Sequence, residues 1–348
     1  MDKKQQTALV DALDERFRFL VSESLNVGIV GAVRAYVDHL SEIRFEDPAK
    51  ATFFADLVPA LVSYLEPDEK ARAFGIASAA HAASSKLQDA FWMLDKGEAH
   101  ASDDVVKAEL YARRAKLLIR TEKLDQARRL IAKGRALAER GGSNRTLAWL
   151  DVQSGGVAMN ERKYADAFQY FMRALWNEGC DERIRQAALA NVINVLSDLH
   201  PRTAYELLQG FYTWKRAERA SFADYVLAWL DGRLRARMAE THDDRRAARS
   251  RLRWVAEGLH RMGRELDAAL AVLDLVTLAY RQRPRSRVVQ TAAAILGRML
   301  ESPQATDELR RRVRRYLDDP THPVAVELRT LFIEAYGDPF RRSQRAEL

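Results

Sequence analysis

The sequence predicts an all-α chain built as a solenoid of helical hairpins, and three observations predict it. Apolar residues recur at three- and four-residue steps, as in Leu110, Leu117, Leu118, Leu124, Leu130, Ile131 and Leu137, which is the spacing that keeps one face of a helix apolar. Helix breakers cut the chain into segments of about 12 to 20 residues, ordinary helix lengths. Small residues return in one register along much of the chain. No stretch sustains the period-two alternation of a strand.

The breakers are Asp47-Pro48, Glu66-Pro67, Gly141-Gly142, Glu178-Gly179, His200-Pro201, Arg283-Pro284, Ser302-Pro303, Asp319-Pro320 and Gly337-Asp338-Pro339. Proline and glycine act here as punctuation between periodic segments. Before them, residues 8 to 65 read as two or three helices, and Ala51 to Leu65 is apolar enough to require burial. After Arg264 the pattern predicts helices near 264–282, 286–300, 305–317 and 322–336.

At 348 residues the chain exceeds one ordinary compact domain, so it is either two globular domains or one elongated array. Hydrophobic residues make up 47% and charged residues 30%, enough for a core and without the signature of disorder. The net charge of +7 tolerates an acidic partner or nucleic acid without demanding either. A single cysteine, Cys180, excludes an intrachain disulfide. Met1 to Gln6 is charged and polar, unlike a secretion signal, and no window reaches a membrane span, so the expectation is a cytoplasmic protein without membrane contact.

The register is clearest between Leu150 and Leu175. Gly155 lies twelve residues before Ala167, Tyr164 three before it, Phe171 four after and Ala174 seven after. Two antiparallel helices are expected to cross where Gly155 faces Ala167, with Tyr164 and Phe171 filling the space to their neighbours. Ala115, Leu124, Ala127, Ile131 and Gly134 fill the same five places, as do Ser78, Leu87, Ala90, Leu94 and Gly97. Weaker copies have Val192, Pro201, Ala204 and Leu208, then Ala236, Arg245, Ala248 and Leu252. The central alanines Ala90, Ala127, Ala167, Ala204 and Ala248 are 37, 40, 37 and 44 residues apart.

This arrangement resembles the tetratricopeptide repeat. Arg145 to Leu175 matches best, followed by Val106 to Ala138 and Glu69 to Ala99. Ala188 to Phe211 and Ala223 to Val255 depart at the aromatic site, and the usual boundary proline is mostly missing. The order of segments is also similar to the repeat region of predicted bacterial regulators that carry a helix-turn-helix ahead of their repeats, through Arg44 to Ala51 and Leu266 to Leu275. No DNA-reading helix precedes residue 45, so that role is not carried over. The resemblance implies a right-handed α-solenoid. Residues 1–65 would be N-terminal helices continuous with it, 66–283 the repeats, 284–337 capping helices and 338–348 a flexible tail.

Catalytic spacing is absent from the sequence. His39, His81, His100, His200, His242, His260 and His322 form no metal-ligand pair with one another or with Cys180. No glycine-rich loop follows a strand, and there is no Gly-x-Ser-x-Gly elbow. The expectation is therefore no enzyme, no cofactor and no metal. One basic run, Arg310, Arg311, Arg312, Arg314 and Arg315, reads either as a patch for phosphate or an acidic partner, or as a solvated outer face.

In the solenoid that the resemblance implies, the first helix of each hairpin lines the concave face. Counting from the repeat frame puts Ala112, Lys116, Ile119 and Arg120 there, then Trp149, Val152, Gly156, Met159 and Asn160. Leu189, Ile193 and Leu196 come next, then Arg233, Arg237 and Glu240. The partner-binding set is thus Lys116, Arg120, Trp149, Val152, Met159, Asn160, Ile193, Arg233 and Arg237: an apolar middle with basic ends, suited to an amphipathic helix or a peptide with acidic flanks. Packing of Trp149, Leu189 and Leu196 between hairpins is the competing reading. The family's carboxylate-gripping Lys and Asn positions hold Gly75, Ala79, Ala112, Lys116, Ala190 and Arg233 here, so the resemblance implies no chaperone-tail binding. The function expected is a non-enzymatic scaffold or adaptor for a protein partner. The alternatives are a regulator of transcription or nucleic acid acting through a basic face, and a switch gated by a peptide signal.

Overall fold

A computed structural model describes residues 15–212, 222–262 and 264–280. Among these residues every regular element is a helix. The chain divides into two compact units, Met1–Ala188 and Leu189–Leu348. The predicted helices beyond Tyr280, the capping segment 284–337 and the tail 338–348 lie outside the described residues.

In the first unit, α1 (Glu15–Glu46) is followed by α2 (Pro48–Ala55), α3 (Val58–Leu61) and a 3-10 turn (Val62–Tyr64). α1 is interrupted at Gly28, where φ is 74°. Asp47 starts α2 by accepting the Lys50 amide while Pro48 takes the first helical position, as its missing N–H allows. Tyr36 is completely buried, stacks on Phe54 at 5.2 Å and donates its hydroxyl to the Phe54 carbonyl. Ala51, Phe54, Ala55, Val58, Val62 and Leu65 join that core, as the apolar run required, although Phe53 and Tyr64 remain exposed.

Three hairpins follow: α4 (Pro67–Ala83) with α5 (Leu87–His100), α6 (Asp104–Arg120) with α7 (Leu124–Arg140), and α8 (Asn144–Asn160) with α9 (Tyr164–Trp176). α10 (Glu182–Leu199) comes next, and the division between the units falls within it. Glu66 and Glu69 close a capping box at the start of α4, around Pro67. Each first helix packs beside the next, α4 on α6 and α6 on α8, which makes one face of first helices.

All three hairpins turn in the same way. Ser85, Glu122 and Arg162 each adopt a positive φ of 58 to 63°. The amides of Lys86, Lys123 and Lys163 then reach back to His81, Leu118 and Ala158, each at 2.9 Å. That bond satisfies carbonyls that a helix end would otherwise leave bare.

In the second unit, α11 (Pro201–Tyr212), α12 (Phe222–Met238), α13 (His242–Arg261) and α14 (Glu265–Tyr280) pack in chain order. Ala90, Ala127, Ala167, Ala204 and Ala248, the five alanines of the frame, are all completely buried. Two details of the frame differ from expectation. Gly155 faces the ring of Phe171 rather than Ala167: a Cβ built on it would lie 2.4 Å from that ring. In α12 and α13 Gly232 approaches Leu252, one helical turn before Ala236, which is only half-buried, and Gly258 approaches the Tyr225 ring.

Candidate functional site on the first-helix face

The predicted contact residues fall into three groups. Lys116 on α6 and Trp149 on α8 meet across neighbouring first helices, with the Lys116 amine 6.0 Å from the indole centroid. Lys116 is exposed and Trp149 half-buried against the α6–α8 core. Met159 is half-buried, and Asn160 is exposed and donates to the Gly156 carbonyl at 2.9 Å.

A second group binds neighbouring helices together. Arg120 donates to the Ala82 carbonyl and to Ser85 Oγ, so it caps the C-terminal end of α4. In the second unit Arg233 donates to Asn194 Oδ1 at 2.8 Å and pairs with Asp274 at 3.3 Å. Arg237 donates to Ser197 Oγ at 2.8 Å. These arginines carry the contacts between successive first helices.

The third group is a correction. Val152 is 7% exposed and Ile193 is fully buried. Ala112 and Ile119 are buried too, while Leu189 and Leu196 pack against the core around Ile193. These residues lie on α6, α8 and α10. Apolar side chains there turn between neighbouring helices, where each buried Val or Ile gains about 1.5–3 kcal/mol over exposure. The basic run at Arg310, Arg311, Arg312, Arg314 and Arg315 lies outside the described residues.

The N-terminal ends of the first helices in the first unit hold a group that sequence reasoning missed. Glu109 on α6 lies 3.9 Å from Arg72 Nε on α4, 3.8 Å from Arg113 Nη1 on its own helix and 3.8 Å from Arg145 Nη1 on α8. Gly179 brings the loop before α10 onto the start of α8: a Cβ there would sit 2.2 Å from the Arg145 amide nitrogen. That approach lets Asp181 accept from Arg145 Nε at 2.7 Å. Arg44, from the last turn of α1, is half-buried nearby, and its buried Nε has no hydrogen-bond partner. Burial, and after it the charges of Arg113, Arg183 and Arg145, push the Arg44 guanidinium down to about 9. Burial likewise lowers Arg113, partly offset by Glu109. Phe45 is flanked by both Arg44 and Arg183, at 4.6 and 5.2 Å from its ring centroid. The available signal was a period: Arg72, Glu109, Arg145 and Asp181 are spaced 37, 36 and 36 residues apart, close to the hairpin repeat.

Among the described residues no three His, Cys, Asp or Glu side chains are grouped to hold a metal ion, and no helix is long and apolar enough to cross a membrane. Burial pushes the Cys180 thiol up, with Arg185 opposing, which disfavours the thiolate.

No family model matches the chain, and no curated protein matches it. Among solved structures the chain is similar to the apo form of the quorum sensor NprR from B. thuringiensis. Identity is 11%, the match covers 90% of this chain and 84% of that one, and the TM-score is 0.42. Likeness at that level leaves function to be argued from the chain's own residues.

Proposed function

We propose that this chain is a non-enzymatic scaffold or adaptor that binds a helix or extended peptide of another protein along the face made by its first helices. The observation that carries the reading is the Lys116–Trp149 pair bridging α6 and α8. A half-exposed tryptophan beside a cation, on a face of parallel helices, offers an apolar anchor with a polar rim. Met159 and Asn160 extend it along α8. Arg233 and Arg237 would serve the partner only with donors left over from their contacts within the second unit. The absence of catalytic spacing in the sequence agrees with binding as the role.

Affinity purification followed by cross-linking tests this. A protein partner should be captured, and Trp149→Ala should weaken capture by about tenfold or more. Trp176→Ala, 80% exposed on a second helix, should leave it unchanged. Failure to capture any protein, or an indifferent Trp149→Ala, counts against the proposal. A salt-sensitive mobility shift with DNA or RNA, lost on Arg311→Glu and Arg314→Glu, would instead favour a regulator of nucleic acid.

A further inference from the structure

The arginines around Glu109 are out of electrical balance. Arg44, Arg72, Arg113, Arg145 and Arg183 come from five different helices, and the carboxylates set among them are Glu109 and Asp181. Arg72 also feels Asp68 and Glu69 on its own helix. Those two are engaged elsewhere, Asp68 with Ser102 and Glu69 with Arg34. Glu109 is too far from each guanidinium for a hydrogen bond at 3.8 to 3.9 Å, so it uses none of their N–H groups well, although Arg145 Nε is taken by Asp181. Gathering like charges where water is partly excluded costs free energy, which an added anion would recover.

We infer that the basin of Arg72, Arg113 and Arg145, backed by Arg44 and Arg183, docks an acidic segment of a partner protein, whose carboxylates take the guanidinium hydrogen bonds that Glu109 leaves unused. The inference rests on reading the first-helix face as a binding surface, and it names the chemistry of the occupant. Glu109 shows that the basin draws a carboxylate, but at distances too long for the two-pronged hydrogen bonds that arginine makes with a well-placed one. Arg72, Arg113 and Arg145 stand on three successive first helices, whose axes pack about 10 Å apart. A peptide in the polyproline II form rises about 3.1 Å per residue and repeats its facing every third residue, so acidic side chains three residues apart share one face and match that step. Arg113 and Glu109 are set back, with side chains 26% and 18% exposed, between Arg72 and Arg145 at 50% and 55%, so an occupant must reach in past two outer guanidiniums, which the slender carboxylate side chains of a peptide do more readily than a phosphate backbone. The five arginines are not the positions at which the tetratricopeptide family grips carboxylates.

Fluorescence anisotropy on the full chain tests the inference, with a labelled Glu-Ala-Ala-Glu-Ala-Ala-Glu peptide as probe. Binding should be salt-sensitive, and R113Q or R145Q should each weaken it about tenfold. E109Q should tighten it several-fold by removing a competing carboxylate, a gain that a purely structural role would not produce. R129Q, an exposed arginine on α7, should leave it unchanged. Thermal melts identify a variant that fails to fold; R113K, which keeps the charge and loses the fork, then replaces R113Q and should retain intermediate affinity. Equal binding of the all-Gln peptide, no binding of the acidic one, or weakening by E109Q would overturn the inference. So would a single-stranded oligonucleotide or inorganic phosphate that binds more tightly through the same arginines. If a partner is captured through Trp149 while R113Q and R145Q bind the probe normally, this inference alone fails. If the probe binds as described but no protein is ever captured, the scaffold reading fails instead.

Discussion

The α8/α9 hairpin of the first unit and the α12/α13 hairpin of the second begin from the same frame of small residues and close differently. α8 ends in a left-handed residue, Arg162, and a back-bonded Lys163, whereas α13 opens with a Thr241–Asp244 capping box. In the first, Gly155 meets Phe171, sixteen residues on; in the second, Gly232 meets Leu252, twenty residues on. The two kinds of turn thus accompany facings that differ by one helical turn. Both hairpins bury an aspartate on the first helix. Asp151 is held by Arg135 from α7 and Arg173 from α9, and Asp231 by Arg235 from its own helix and Arg251 from α13. Asp151 is held from two other helices and Asp231 from one, although Arg235 also donates to the Tyr205 hydroxyl on α11.

The largest effect should come from the Asp151 anchor. Arg135→Ala with Arg173→Ala strands Asp151, which is 2% exposed, and should cost about 3 kcal/mol in chemical denaturation. Arg251→Ala leaves Arg235 on Asp231 and should cost clearly less. Equal losses would mean that the two anchors do not differ in the way their geometry implies.

Next come the glycines. Gly155→Ala drives a methyl into the Phe171 ring and should lose about 1–3 kcal/mol, as overpacking does. Gly258→Ala, whose Cβ would lie 2.0 Å from the Tyr225 ring, should lose at least as much. Gly156→Ala meets only Ile119 at an ordinary 3.6 Å and should gain up to about 1 kcal/mol from helix propensity. Adjacent glycines with effects of the same sign would break the assigned facing.

A third probe sits at the α4/α5 turn. His81 is buried, neither ring nitrogen has a hydrogen-bond partner, and Asp56 lies 3.6 Å away. Burial lowers its pKa, against Asp56 and Asp89 and with Lys86. The fold therefore prefers neutral His81, and the unfolded chain binds the proton first, near pH 6.5. Stability should fall as pH drops below that value and down through the lower folded pKa. Denaturation midpoints at pH 7.5 and 5 measure the slope, and His81→Leu should remove part of it. The smallest effect should be at the turns. Arg162→Gly relieves a left-handed residue and should stabilise by up to about 1 kcal/mol. Glu240→Gly, at a turn without one, should destabilise slightly through the unfolded chain.

The sequence was legible where the signal is local. Asp47-Pro48, Glu66-Pro67 and His200-Pro201 each start a helix because proline fits the first position and no interior one. The five alanines are buried because only a small residue fits where helices cross closely. Lys116 and Trp149 could be placed on the first-helix face by counting. Exposure could not be counted: Val152 and Ile193 share the helical phase of groove residues, but neighbouring helices cover them.

By itself, then, the chain order of apolar, small and punctuating residues determined that this is a helical protein, where several of its helices start and which alanines sit at crossings. These follow from forces acting within one or two helical turns. Only the tertiary structure decided that Gly155 opposes Phe171 and that Arg120 caps α4. It alone gathered Arg72, Arg113 and Arg145 around Glu109, with Arg44 and Arg183 beside them. Those residues are far apart in the chain, and arginine is common on every helix. Packing brings them together, since the fold's gain from stacking hairpins outweighs the repulsion among their charges.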